Sequence, residues 1–247
     1  MATKKRSAAR IIYHAVCAAV LLAGMFMLLH EPIQSWFVYR GTSSLGLHKV
    51  AAAGSEKRDN SHIRKQEPVF HFEEVSELDF ETILMANLNK DDIHVIGGIS
   101  IPSIDMNLPI GEGVAPYTLA LTAGTMKPDQ VMGEGNYALA GHHMNRKDLL
   151  FSPLLRVKTG DAAYLTDMKY IYEYKIEEQK TIEATAVEVI EDQGPERLLT
   201  LITCDDSGKA RVLTRGRFVG KTPIQEATKE MKDAFQLEMS NSVKLKP

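Results

Sequence analysis

The chain has 247 residues, 44% of them hydrophobic, which is ordinary for a protein that buries a core in one or two domains. Its 29 basic and 32 acidic side chains leave a net charge of −3, so it lacks the basic footprint of nucleic-acid binders and no nucleic-acid partner is expected. Two cysteines exclude a disulfide scaffold and a zinc site of thiolate pairs, and 17 glycines exclude collagen-like or low-complexity material.

The first element is a membrane span. Ile11 to Leu29 carries no formal charge and, apart from His14, little polarity. At about 1.5 Å per residue it matches the hydrocarbon thickness of a bilayer. Lys4, Lys5, Arg6 and Arg10 precede it, and no Lys or Arg lies between Leu29 and Tyr39. The positive-inside rule places residues 1–10 in the cytoplasm, 11–29 in the membrane as a single-pass signal anchor, and the remainder, with a charge of −7, outside the cell. A cleaved signal peptide would need a shorter apolar region ending in a small-residue cleavage site, and the nearest alanine cluster is Ala51 to Ala53. Cys17 then lies in the span and Cys204 in the ectodomain, which argues against their pairing. Cys204 is either buried and inert or a reactive thiol.

Residues 30–75 are expected to be an extracellular spacer, polar and irregular from Arg40 to Gln66. Ser76-Glu77-Leu78-Asp79 resembles a capping box opening an amphipathic helix with Leu78, Ile83, Leu84 and Leu88 at helical spacings. The period then changes to two. Strands are predicted at Val95–Ile101, Ile104–Ile110, Tyr137–Ala140, Ala163–Thr166, Tyr170–Ile176, Thr185–Ile190, Leu198–Cys204 and Arg211–Val219. This is an all-β pattern with few helices, and a closed β-barrel or a sandwich is the natural architecture for residues 76–222. Residues 223–247 read as a helix over Pro223–Gln236 followed by a polar tail.

Chemistry concentrates in Leu198-Leu199-Thr200-Leu201-Ile202-Thr203-Cys204, where alternation puts Thr200, Ile202 and Cys204 on one face. A tight turn over 205–210 would return the chain so that Arg211 meets Cys204 at one rim. A guanidinium there favours the thiolate and donates to a developing oxyanion. Alternatively, Arg211 is one of three solvated arginines, since Arg215 and Arg217 share its face. Ala138-Leu139-Ala140-Gly141-His142-His143 ends an apolar strand in a histidine pair, one member of which can reach a groove. Two adjacent histidines without further ligands make no zinc site. Together, a strand-end cysteine, an arginine across a turn and a strand-end histidine are the parts of a cysteine acyl-transfer site.

Thr200-Leu201-Ile202-Thr203-Cys204, Ala140-Gly141-His142 and the following Arg211 resemble the sortase signature, and the N-terminal anchor resembles class A, the housekeeping sortases of Gram-positive bacteria. The similarity runs from about Val95 to Val219. It implies a closed eight-stranded sortase-type β-barrel behind one transmembrane helix. By this resemblance Cys204 attacks the Thr carbonyl of a Leu-Pro-x-Thr-Gly signal on secreted proteins. The acyl group then passes to an amine of a lipid-II-type peptidoglycan precursor, with hydrolysis as a side activity. His142 would serve as general acid and then base, in preference to His143. Arg211, followed by Val212 and Leu213, would stabilise the oxyanion or hold substrate, and Thr203 would line the site. Ala140, Val187, Val189, Ile190 and Ile202 match apolar groove positions, with His143 beside them. Some class A members bind calcium through acids upstream of the histidine strand. Here those positions are Lys127, Gln130 and Glu134, and Lys127 opposes a cation. The resemblance therefore implies metal-independent activity without a cofactor, with Glu191 and Asp192 as solvated loop acids.

A papain-like protease would place its cysteine at a helix start, whereas this one ends a strand. Pilin-polymerising sortases usually add a lid segment and often a C-terminal span, and the tail from Asn241 to Pro247 lacks the latter. A non-catalytic, membrane-tethered wall-binding barrel is the alternative from a different class.

Overall fold

The computed structural model describes residues 2–45, 69–70 and 78–236. Ser76 of the expected capping box, most of the expected spacer and the polar tail lie outside the described residues.

Helix α1 (Ala2–Ser44) carries the apolar run, and its stretch from Tyr13 to Ser44 is long and apolar enough to cross a membrane. The spacer expected from residue 30 does not begin there, because the helix continues to Ser44. Ser35, Val38 and Thr42, spaced three and four residues apart on one face, are buried against the domain, and that burial stabilises these turns. Helix α2 (Phe80–Leu88) starts at Asp79, whose carboxylate accepts a 2.7 Å hydrogen bond from the Thr82 amide. It buries Ile83 and Ala86 and leaves Leu88 exposed.

Eight strands follow: β1 (Val95–Ile101), β2 (Met106–Gly111), β3 (Ala123–Thr125), β4 (Asn136–Ala140), β5 (Ala162–Thr166), β6 (Tyr170–Glu183), β7 (Leu198–Cys204) and β8 (Ala210–Pro223). They close into a barrel in the order β1-β2-β3-β4-β7-β8-β6-β5, which removes the sandwich alternative and leaves no open sheet edge. Only the β2–β3 and β4–β7 pairs are parallel. Inward residues such as Ile99, Leu108, Leu139, Leu199 and Leu201 make the main core. Gly97 sits at a bulge where a Cβ would lie 2.2 Å from the Thr166 carbonyl oxygen, so glycine is required for β1 to pass β5.

Three predicted elements change and one strand is added. Thr185–Ile190 is no strand: Val187–Ile190 forms a 3₁₀ turn, whose valines and isoleucine lie on the outside of the barrel instead of joining its ladder. The strand expected from Ile104 begins at Met106, because Pro102–Ile104 makes a 3₁₀ turn ended by Asp105 in the left-handed region at φ 54°. The strand β3 went unpredicted because three residues show no alternation; it follows helix α3 (Pro116–Leu121). The C-terminal helix starts not at Pro223, which ends β8, but later, as α4 (Lys229–Gln236). Its Ala234 packs against the barrel, and the Ala234 carbonyl accepts a 2.7 Å hydrogen bond from Ser100.

Candidate active site

Strands β4 and β7 run side by side in parallel, with Ala140 opposite Ile202. Beyond β4 the chain keeps this course: the Gly141 amide donates to the Ile202 carbonyl at 3.1 Å, and Thr203 Oγ1 donates to the Gly141 carbonyl at 2.8 Å. His142 is thereby carried alongside the end of β7, where Cys204 sits. Glycine is required at 141, because a Cβ would lie 2.4 Å from the Phe151 ring. Phe151 in turn donates its amide to the His142 carbonyl at 3.1 Å, and Ser152 Oγ bonds the Met144 amide at 2.7 Å. The segment holding His142 is thus tied down on both sides.

Cys204 and Arg211 are the last paired residues of the β7–β8 ladder. The turn between them is built on Asp205. Its carboxylate accepts from Ser207 Oγ at 2.7 Å and from the Ala210 amide at 3.1 Å, which holds it below the usual carboxylate range. Gly208, at φ 71°, supplies the left-handed step. The three arginines of β8 then separate by partner. Arg215 donates to the Val189 carbonyl at 3.2 Å and lies 3.4 Å from Glu178, and Arg217 pairs with Glu177 and Glu196. Arg211 lines the cavity of Cys204 and His142. The solvated-trio reading therefore fails for geometric reasons.

His142 is only 7% exposed, and burial lowers its pKa from 6.5 to about 4. The resting imidazole is neutral at pH 7, and an adjacent thiolate is the charge that would favour its protonation. His143 lines the same cavity, but its Nε2 is engaged 3.1 Å from Asp206 Oδ1 on the β7–β8 turn. The cavity, about 360 Å³, is lined by His142, His143, Cys204, Arg211, the 205–208 turn and the 144–146 segment, together with Glu31, Gln34 and Ser35 of α1. Nothing in the sequence pattern pointed to the three α1 residues. A thiol and a neutral imidazole in one cavity with a guanidinium are the groups that cysteine acyl transfer uses.

The expected groove residues also converge. Ile202 and Ala140 form an apolar cluster with Ala138, Val114, Leu119 and Met126 on the outer face of β4 and β7, and Val189 and Ile190 pack against it. Val187 joins a narrow pocket with Met126, Ile190, Ile202 and Arg211. Thr203 acts through its bond to Gly141 and is 2% exposed. Val114, Leu119 and Met126 escaped the sequence reading, since they lie on or beside the elements the alternation missed; Ala138 was legible as the same-face neighbour of Ala140.

Asp192 is more than a solvated acid. Its Oδ1 binds Lys127 Nζ at 2.6 Å and the Asn136 amide at 2.9 Å, and these bonds lower its pKa. Gln130 spends both ends of its amide on Ala138, at 2.9 and 3.0 Å. Among the described residues no three His, Cys, Asp or Glu side chains converge on a metal-sized site.

Comparison with known proteins gives one answer. A sortase-domain family profile matches residues 99–219. The chain is 34% identical over 223 residues to sortase A of Listeria monocytogenes, covering 89% of this chain and 96% of that protein. It is 35% identical over 192 residues to sortase A of Streptococcus agalactiae, covering 76% of each. The crystal structure of Listeria monocytogenes sortase A superposes with a TM-score of 0.53 at 42% identity, covering 57% of this chain and 97% of that one.

Proposed function

The chain belongs to the sortase family, and from that premise we propose that it cleaves Leu-Pro-x-Thr-Gly signals between Thr and Gly and joins the new Thr carboxyl to an amine of a lipid-II-type cell-wall precursor. It is a sortase transpeptidase. The observation that carries the finer reading is the shared cavity of Cys204, His142 and Arg211 beside an apolar groove suited to Leu and Pro side chains.

The steps follow from those groups. Proton transfer from the Cys204 thiol to His142 makes the thiolate–imidazolium pair, whose two charges stabilise each other in a buried site. The thiolate adds to the Thr carbonyl, and the Arg211 guanidinium, held beside Cys204 by the strand register, donates to the oxyanion. His142 gives its proton to the departing Gly amine as the C–N bond breaks, leaving a thioester and a neutral imidazole. The incoming amine attacks the thioester, His142 takes its proton, and collapse expels the thiolate, which the imidazolium reprotonates.

Activity is proposed to need no metal. The Lys127 ammonium, bound to Asp192, joins the segment before β4 to the loop before β7 and supports this reading by putting a positive charge there. The membrane span would place the N-terminus in the cytoplasm and the barrel outside, as the flanking lysines and arginines indicate.

Intact-mass spectrometry of the protein with a Leu-Pro-x-Thr-Gly peptide, with and without an amine acceptor, tests this reading. A Cys204-dependent acyl adduct that becomes an amine-linked product is expected. A folded protein giving no adduct, cleavage or ligation would overturn it and favour a binding module.

A further inference from the structure

Helix α1 does not end where its apolar run ends. It passes Leu29 and continues through Pro32 to Ser44 without a break. Its inner stripe is docked on the barrel's helices: Thr42 Oγ1 donates to the Leu121 carbonyl at 2.9 Å, and Asn87 Nδ2 donates to the Phe37 carbonyl at 3.1 Å. Val38 is fully buried, and at Gly41 a Cβ would lie 2.5 Å from Leu121 Cδ2. The opposite stripe, Ile33, Trp36 and Arg40, is exposed, with the Arg40 guanidinium 5.2 Å from the indole centroid. Anchor and barrel are therefore joined by a rigid strut rather than a leash.

The same strut is a wall of the active-site cavity. Glu31, Gln34 and Ser35 face the space shared with His142 and Cys204. Glu31 Oε1 accepts a 3.1 Å hydrogen bond from Asn145, on the segment that carries His142. With a rise of about 1.5 Å per residue, positions 31–35 lie roughly 3–9 Å beyond Leu29 along the helix axis. A bilayer's headgroup layer extends about 5–8 Å beyond its hydrocarbon on each side. The cavity therefore opens at headgroup level. An exposed tryptophan with an apolar and a cationic neighbour is the kind of side-chain set that settles there.

We propose that α1 is an integral part of the active site and holds the cavity mouth in the headgroup layer, so that the enzyme selects an acceptor amine carried on a lipid of the same leaflet over the same amine free in water. This rests on the transpeptidase reading above and on α1 spanning the membrane. The selectivity comes from placement: a lipid-borne amine is confined to the layer in which the cavity opens, which raises its effective concentration without any new contact.

The full chain in nanodiscs tests it in two arms. In the first, a Cys17→Ala, Cys204→Ala background carries a fluorophore at Ser207→Cys, beside the cavity, or at Lys169→Cys. Lys169 adjoins Tyr170, which pairs with Pro223, whereas the cavity end of the same ribbon pairs Ile182 with Arg211. The two positions are thus roughly 40 Å apart along the strands. A nitroxide on the lipid headgroups should quench the Ser207 label several-fold more strongly than the Lys169 label. Insertion of about twelve Gly and Ser residues after Leu29, a slack of roughly 20 Å, should abolish that difference while leaving residues 30–44 docked. Equal quenching at both positions in the uninserted protein overturns the proposal.

In the second arm, a primary amine on a lipid anchor competes with the same amine free in solution. The uninserted protein should favour the lipid-borne amine at least tenfold, and the inserted protein, cleaving soluble peptide at an unchanged rate, should lose that preference. A preference that survives the insertion overturns the proposal. Failure of both proteins to cleave peptide would instead overturn the transpeptidase reading, and the quenching arm would still decide the placement.

Discussion

Thr203 Oγ1 donates a 2.8 Å hydrogen bond to the carbonyl of Gly141, tying the residue before the cysteine to the residue before the histidine. Both partners are buried, so the bond sets the spacing of two catalytic candidates, one at the end of β7 and one just beyond β4. Replacing Thr203 by Val keeps the shape and leaves that carbonyl unsatisfied, a cost of about 1–3 kcal/mol. We expect Thr203→Val to lower both the thermal midpoint and kcat/KM, with the rate falling about tenfold, and Thr203→Ser to restore most of both. A Val variant with unchanged kcat/KM would show that the bond has no positioning role.

Burial of His142 makes a pH prediction. Its pKa is about 4 in the folded protein against 6.5 when exposed, so the unfolded chain binds more protons between those values. Stability present above pH 6.5 is therefore lost as pH falls through that window. This contributes at most about 3 kcal/mol. His142→Gln should flatten that part of the denaturation profile while abolishing ligation. In the parent, the acid limb of kcat/KM for peptide cleavage should lie well below 6.5. A limb at the ordinary histidine value would contradict the desolvation argument.

The arginines of β8 should divide by function. Arg211 lines the cavity with Cys204, and a lysine there keeps the charge but loses the planar fork. Arg211→Lys should reduce kcat/KM by about 10²-fold or more, the scale of a lost oxyanion donor, with little change in the thermal midpoint. Arg215→Lys gives up a bond to the Val189 carbonyl and should affect KM more than kcat. Steady-state kinetics of the two variants checks this, and equal losses would refute the division.

Treatment with EDTA should leave the rate unchanged. Lys127→Ala should free the 187–192 loop from the segment before β4, while Asn136 still ties it to β4, and raise KM about twofold. Asp192 is largely exposed, so the loss of stability should stay within about 1 kcal/mol. A rate that collapses with EDTA and returns with calcium would refute the metal-free reading.

Local patterns were legible wherever one residue's neighbours along the chain determine its role. The apolar run of α1, the alternation in β7 that puts Ile202 and Cys204 on one face, and the Asp205–Ala210 turn that returns Arg211 to Cys204 all depend on short-range periodicity or turn chemistry. Elements without a period of their own were misread or missed. The strand β3 exists because β2 and β4 flank it, and Val187–Ile190 looks like a strand because its apolar residues cover a groove.

By itself, then, the sequence determined an apolar N-terminal segment, a run of short strands, and a cysteine and an arginine at one strand rim. The tertiary structure decided how each histidine of the pair is held near the cysteine, which arginine lines its cavity, and that the anchor helix continues into the cavity wall. The first and the last of these join residues more than sixty positions apart. They depend on parallel strand register and helix docking, which arise only when the barrel closes and buries both partners.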